Sequence, residues 1–245
     1  MDLAGKNALI TGAARRLGRA TALALANDGV RIVVHYKASK QGAEDLVAQI
    51  RRGGREAWSL CADLENPREA ESLLGRAGNL AGPIQILVNN AAVFPRSTLR
   101  NFSLEELNRA IGVNAFAPLL IGRAFAAQGV PGHIINFLDS RIADYDAAHV
   151  PYQLSKGMLF TLTRMMALEF APQIQVNAVA PGLILPPEGK DESYLQSLAH
   201  TNPLNRVGSA EEVAAAVLFL LRSDFITGQV IFVDGGGHMR GALHD

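Results

Sequence analysis

Seven short apolar runs rich in β-branched residues recur along the chain, at residues 8–11, 30–35, 57–61, 84–89, 133–138, 175–179 and 230–233. Their apolar character is continuous rather than alternating, which predicts strands covered on both faces, as in a parallel sheet. Between them lie helical patterns over residues 17–28, 40–52, 67–80, 103–128, 151–171 and 210–222. Two of these open with a capping box, Ser103 with Glu106 and Ser209 with Glu212. The alternation predicts a single doubly wound α/β domain over residues 1–245, with a parallel seven-stranded sheet and helices on both faces. Ligands of such a sheet bind outside the carboxyl ends of its strands. Residues 183–202, with Pro186, Pro187 and a Gly189-Lys190-Asp191-Glu192 turn, predict a substrate loop carrying one short helix at that face.

Charge narrows the class of partner. Basic and acidic residues number 23 each, so no global field draws the chain to nucleic acid or an anionic membrane. The one cysteine, Cys61, has no intramolecular disulfide partner, which suits a reducing compartment. Asp2, Lys6, Arg15, Arg16 and Arg19 interrupt the apolar N-terminal region, and the run 213–221 is too short to cross a bilayer. The expectation is a soluble, cytoplasmic protein with a small-molecule ligand and no metal site.

Tyr152-Gln153-Leu154-Ser155-Lys156 sets a phenol and an ammonium four positions apart, on one face of a helix. A free phenol titrates near ~10, and a fixed positive charge beside it brings that value toward the working range. The pair is either a surface tyrosine over a lysine or a proton donor, and a donor needs a cofactor to bring the accompanying hydride. Asp139 stands thirteen residues before Tyr152.

Directly after the first run comes Thr11-Gly12-Ala13-Ala14-Arg15-Arg16-Leu17-Gly18-Arg19. Gly12 and Gly18 flank a turn that lets backbone amides approach a pyrophosphate at a helix N-terminus, with Arg15, Arg16 and Leu17 between them. Arg16 replaces the middle glycine of many dinucleotide loops, and its guanidinium is suited to phosphate or substrate. The second run ends His35-Tyr36-Lys37-Ala38-Ser39, with no acid before Glu44 to hold the adenosine ribose. His35, Lys37 and Ser39, with a loop arginine, suit a 2′-phosphate, which favours NADPH. Asp63-Leu64, after the third run, offers either an acceptor for the adenine amine or a cap for the next helix. Asn89-Asn90-Ala91-Ala92 ends the fourth run, either beside the cofactor ribose or as an ordinary polar turn.

Thr11-Gly12 with Gly18, Asn89-Asn90-Ala91, Asn114, Tyr152 with Lys156, Pro181-Gly182, and Thr227-Gly228 followed by Asp234-Gly235-Gly236 occur together in this order. In this the whole chain resembles the short-chain dehydrogenases/reductases. The arginine-bearing turn, the His35-Tyr36 strand end, Asn89-Asn90-Ala91-Ala92-Val93-Phe94 and Asp139 are similar to the pteridine reductases and the bacterial dihydromonapterin reductases. The resemblance implies a Rossmann-type fold that binds NADPH, commonly as a homotetramer. It implies that Tyr152 donates the proton with Asp139 assisting, and that Lys156 binds the nicotinamide ribose and lowers the phenol pKa. Asn114 would anchor a proton-relay water. Phe94 would stack the pterin, or lie buried with no ligand. Arg16 would contact the pterin edge or the cofactor phosphate, and Pro181-Gly182-Leu183-Ile184 would pass the carboxamide. Ala38, Ala92, Val93 and the Leu185-Pro186 pair depart from the pattern. His238-Met239-Arg240 is placed to reach a neighbouring site.

The leading expectation is therefore NADPH-dependent reduction of a C=N bond in a dihydropteridine or dihydrofolate-type substrate. A reductase of ketones or 3-oxoacyl thioesters is the alternative on the same scaffold. A cofactor-binding protein without turnover is a third, which the intact Tyr152, Lys156 and Asn114 set argues against.

Overall fold

In the computed structural model, which describes residues 2–187 and 189–242, the apolar runs become strands β1 (Asn7–Ile10), β2 (Arg31–Tyr36), β3 (Ala57–Cys61), β4 (Ile86–Asn89), β5 (Gly132–Phe137), β6 (Ile174–Pro181) and β7 (Val230–Val233). They form one sheet in the order β3-β2-β1-β4-β5-β6-β7, every neighbouring pair parallel. The helices are α1 (Arg16–Asn27), α2 (Lys40–Arg52), α3 (Pro67–Ala81), α4 (Leu104–Ile111), α5 (Ala117–Ala127), α6 (Val150–Glu169), α7 (Glu192–Ser197) and α8 (Ala210–Arg222). Both predicted capping boxes form, on α4 and α8.

Successive strand residues point to opposite faces, and the sequence supplies apolar side chains to both. Ala8, Ile10, Ile32, Val34, Ile86 and Val88 share one layer with Leu25 of α1, Leu46 of α2 and Val217 of α8. Leu9, Val33, Leu87, Ile134 and Val176 share the other with Leu73 of α3, Phe125 of α5 and Met166 of α6. Each fully buried aliphatic side chain contributes about 1.5–3 kcal/mol. A one-residue slip would exchange the two layers, so this packing fixes the register.

The helical pattern over 103–128 is not continuous. It resolves into α4, a π-helical turn at Gly112–Phe116, and α5. Pro118 has no N–H to return to the carbonyl four residues back. The Ala117 amide bonds instead to Gly112 O, five residues back, and the chain absorbs the defect as a wider turn. By length and composition Leu104–Ala127 would cross a membrane, but half of its most apolar stretch is buried, with Ile121 and Phe125 fully enclosed. The loop 183–202 holds α7 and a 3₁₀ turn at Ala199–Thr201. The strand order reverses between β1 and β4, and the carboxyl ends of β1, β4 and β5 deliver Thr11, Asn90 and Asp139 to one edge of the sheet.

Candidate active site

The turn after β1 is tied down by side chains from three directions. Thr11 Oγ1 accepts the amides of Asn90 and Ala91, each at 3.0 Å. The Asn90 amide group donates back to Thr11 O at 2.9 Å and Gly12 O at 3.1 Å. His35 Nδ1 accepts the Gly12 amide at 3.0 Å, which fixes the neutral tautomer and leaves Nε2 to donate to Ala62 O at 3.1 Å. Burial lowers its pKa to about 4. The expectation of a phosphate-binding His35 is therefore corrected: the ring is 2 % exposed, both nitrogens are engaged, and it props the turn from below. Gly12 lies at φ +62, where a Cβ would come within 3.0 Å of Ala91 Cα. Arg16 also keeps a left-handed backbone, at φ +56, and its exposed guanidinium donates to Pro186 O at 2.8 Å across the cleft in the 183–202 loop.

At the end of β2, Tyr36 packs against the core edge, and Ser39 begins α2 without a side-chain cap bond. The Lys37 ammonium is not free. It sits between Asp63 at 2.9 Å and Glu65 at 2.7 Å, and Arg109 of α4 holds Glu65 at 3.0 Å. Asp63 does not cap α3, since Asn66 does so by accepting the Arg68 amide. Leu64 turns its side chain into the core, which leaves only its backbone toward a ligand.

On the other side, Asp139 follows β5 and caps the 3₁₀ turn Ser140–Ala143 with Oδ1, which accepts the Arg141 amide at 2.9 Å. Its Oδ2 accepts the Tyr152 hydroxyl at 3.0 Å. Burial, then the Asp139 charge, push the phenol well above its usual value. This corrects the expectation that Lys156 would lower it: the Lys156 nitrogen lies 5.7 Å from the phenol ring centroid and bonds to Phe137 O. Burial brings the Lys156 pKa down to about 8. Asn114, at the centre of the π-helical turn, accepts Val93 N at 2.8 Å and donates to Val93 O and Ser155 Oγ, each at 2.9 Å. It thus pins the residue before Phe94 to the helix that carries Tyr152. Phe94 is half exposed, not buried, and meets the Tyr152 ring edge-on at 4.5 Å.

The profile of the family described as Enoyl-(Acyl carrier protein) reductase matches residues 12–238. A short-chain type dehydrogenase/reductase of Picea abies is 34% identical over 96% of this chain and 93% of its own length. The chain belongs to the short-chain dehydrogenase/reductase family. L-xylulose reductase of Mus musculus is similarly 34% identical, over 96% of this chain and 98% of its own. Among solved structures, FolM alternative dihydrofolate reductase 1 from Brucella canis, complexed with NADP, superposes with a TM-score of 0.94 at 30% identity, covering 100% of this chain and 97% of that one. The chain is an oxidoreductase of this family.

Short-chain dehydrogenases/reductases imply a nicotinamide dinucleotide, and the residues present fit one. No side chain caps the α1 amides and no acid lies in its first turn, so that helix end is open to an anion. A Cβ on Gly18 would stand 2.5 Å from Asn90 Nδ2 and 2.6 Å from Gly12 O, so the helix start packs too closely for any side chain there. Of the three Lys156 ammonium donors, one goes to Phe137 O, and the others are available to ribose hydroxyls. Gly182 packs tightly on Asp234, while Ile184 is buried in the core, so its side chain faces away from the cleft and only backbone can meet a carboxamide. Leu183 is half-buried, and its carbonyl accepts the Gly208 amide. Ala91 and Ala92 line the carboxyl end of β4 with small, partly exposed side chains.

Three residues at the mouth of the site escaped the sequence reading. His149 stacks on Phe94 at 4.0 Å with an interplanar angle of 18°, and its Nδ1 bonds Asp146 at 2.7 Å. Asp146 also pairs with Arg141, whose guanidinium lies 5.9 Å from the Phe94 centroid. At the C-terminus, His238 does not project outward: it stacks on Phe232 at 3.9 Å and bonds Asp234. The Arg240 side chain lies outside the described residues.

Proposed function

We propose that this chain is an NADPH-dependent reductase of a pterin C=N bond, acting on a dihydropteridine or dihydrofolate-type substrate. The observation that carries the reading is the Asp139 carboxylate on the Tyr152 hydroxyl at 3.0 Å, where a carbonyl reductase would place a neutral hydroxyl. A carboxylate repels a developing alkoxide but accepts hydrogen bonds from the amide and amino edges of a pterin. The FolM structure, complexed with NADP, and the missing acid at the end of β2 support NADPH as the cofactor.

When bound, the reduced nicotinamide supplies hydride to the substrate carbon. The chain's own residues handle the proton. Tyr152 is held protonated by burial and by Asp139, so at neutral pH its hydroxyl carries the proton, which it gives to the substrate nitrogen by turning from Asp139. Once that proton leaves, the phenolate beside Asp139 is a strong base and takes its next proton from water. The Lys156 ammonium orients the ribose and offsets the negative charge of that moment. Phe94 offers a half-exposed ring at the mouth for a flat heterocycle, and Arg16 holds the 183–202 loop across the cleft.

Exposed Phe116, Leu154, Met165 and Leu168, on the π-helical turn and α6, support a homotetramer, and the unpaired Cys61 suits the cytoplasm. The decisive experiment follows NADPH oxidation with dihydrobiopterin, dihydrofolate, a 3-oxoacyl thioester and L-xylulose in parallel. Turnover of the pterins supports the assignment. Fast turnover of the thioester or the sugar, with neither pterin reduced, would replace it with carbonyl reduction.

A further inference from the structure

The adenosine end of the cleft carries a charge arrangement that the sequence order conceals. No acid follows β2, yet two acids arrive there from the neighbouring strand. Tyr36 pairs with Cys61 in the parallel β2–β3 register, which sets Lys37 beside Ala62 and Asp63. Asp63 is fixed from behind by the Glu65 amide, which donates to its Oδ1 at 3.0 Å. Glu65 then takes Lys37 at 2.7 Å on the same oxygen that holds Arg109 at 3.0 Å.

We propose that Glu65 is a cofactor-specificity residue: by occupying the Lys37 ammonium it weakens the chain's discrimination in favour of a 2′-phosphorylated nucleotide. This rests on the reading above that a dinucleotide lies across the carboxyl ends of β1 and β2. The charges of Lys37 and Arg109 are offset by those of Asp63 and Glu65, so the Lys37 ammonium is already engaged when a 2′-phosphate arrives at this edge. The hydrogen bond to Glu65 raises the Lys37 pKa, and the same bond lowers that of Glu65, so both are charged at neutral pH. Asp63 is held by backbone and is the acid placed to meet the adenine. Glu65 touches only the two cations and can be neutralised without disturbing the turn. Both side chains of the pair are partly exposed, so solvent screening keeps the effect to a modest factor rather than an on–off switch.

The test measures binding by calorimetry, with adenosine 2′,5′-bisphosphate and adenosine 5′-monophosphate as probes. The proteins are the wild-type chain, Glu65→Gln, Lys37→Gln and the double variant, each checked by thermal melting. Glu65→Gln is expected to tighten the bisphosphate by about 3- to 10-fold while leaving the monophosphate within about twofold. Adding Lys37→Gln should erase that gain. Unchanged bisphosphate affinity, an equal gain for both probes, or a gain that persists without Lys37 would each overturn the proposal. If the wild-type chain binds neither probe, the dinucleotide reading itself fails and this inference falls with it. If it binds both and Glu65→Gln alters neither, only the role of Glu65 is lost.

Discussion

The Tyr152 hydroxyl donates to one oxygen of Asp139 at 3.0 Å while the other oxygen of the same carboxylate accepts the Arg141 amide at 2.9 Å. One side chain therefore starts the 3₁₀ turn that follows β5 and aims the phenol. Asp139→Asn keeps the shape and removes the charge. The Tyr152 pKa should then drop, because burial remains but the second cause of its elevation is gone; spectrophotometric titration of the phenolate reads this directly. Pterin kcat/KM should fall by about 10²-fold or more, with NADPH affinity retained. Unaltered pterin kinetics would remove Asp139 from the mechanism.

Acid should loosen the fold through two imidazoles. Burial is the main reason that His35 and His133 each titrate near about 4 in the fold, against 6.5 for a free imidazole. Within that window the unfolded chain binds more protons. The stability these groups allow is complete above 6.5 and is lost as pH falls through 4. Each shift corresponds to on the order of 3 kcal/mol. Denaturant midpoints followed from neutral pH down to about 4 should decline, and His35→Gln should make the decline shallower. A midpoint that stays flat in both proteins would contradict the buried neutral assignment.

Arg16 occupies a left-handed conformation that glycine adopts freely. The strain costs about 1–2 kcal/mol, and bonds from the exposed guanidinium to the loop only partly offset it. Arg16→Gly is therefore expected to raise stability by about 1 kcal/mol while raising the KM for pterin, as the 183–202 loop loses its tie. A lower melting temperature would mean that the bond to Pro186 outweighs the backbone strain.

Gly18→Ala should be damaging. Its Cβ would meet Asn90 Nδ2 at 2.5 Å, Gly12 O at 2.6 Å and Ala13 Cα at 2.9 Å, two of them backbone atoms with little freedom to yield. A loss of about 1–3 kcal/mol is expected, together with weakened dinucleotide binding by fluorescence titration. Wild-type affinity in this variant would show that the turn is softer than its hydrogen bonds suggest.

Features whose partners lie close in sequence could be read in advance. The seven strands, the two capping boxes and the Tyr152–Lys156 spacing all follow from local periodicity, and the structure reproduces them. Asp139 was marked by its distance from Tyr152 along one strand–turn–helix unit. What escaped depends on contacts between distant segments. His35 looked like a phosphate ligand because its ring direction is set by Gly12 and Ala62, from two other strand ends. Lys37 looked free because its partners, Asp63 and Glu65, reach it from the turn after β3. The His149–Asp146–Arg141 group is short-range in itself, but Phe94, which gives it meaning, lies about fifty residues earlier. Pro118 did announce the break in the 103–128 helix, and the apolar pattern around it masked the signal.

The wide turn at Gly112–Phe116 decouples chain length from facing direction in the middle of this long helical segment. Each α-helical residue advances the chain by about 100°, and the wide turn takes up about one residue more than an α turn. Deleting a residue from α4 or α5 would therefore swing everything beyond it by more than a quarter of a revolution, and either Phe125 would leave the sheet or Asn114 would leave Val93. The wide turn is the one place in this segment where a single-residue deletion could close to an ordinary α turn with both flanks still facing their partners.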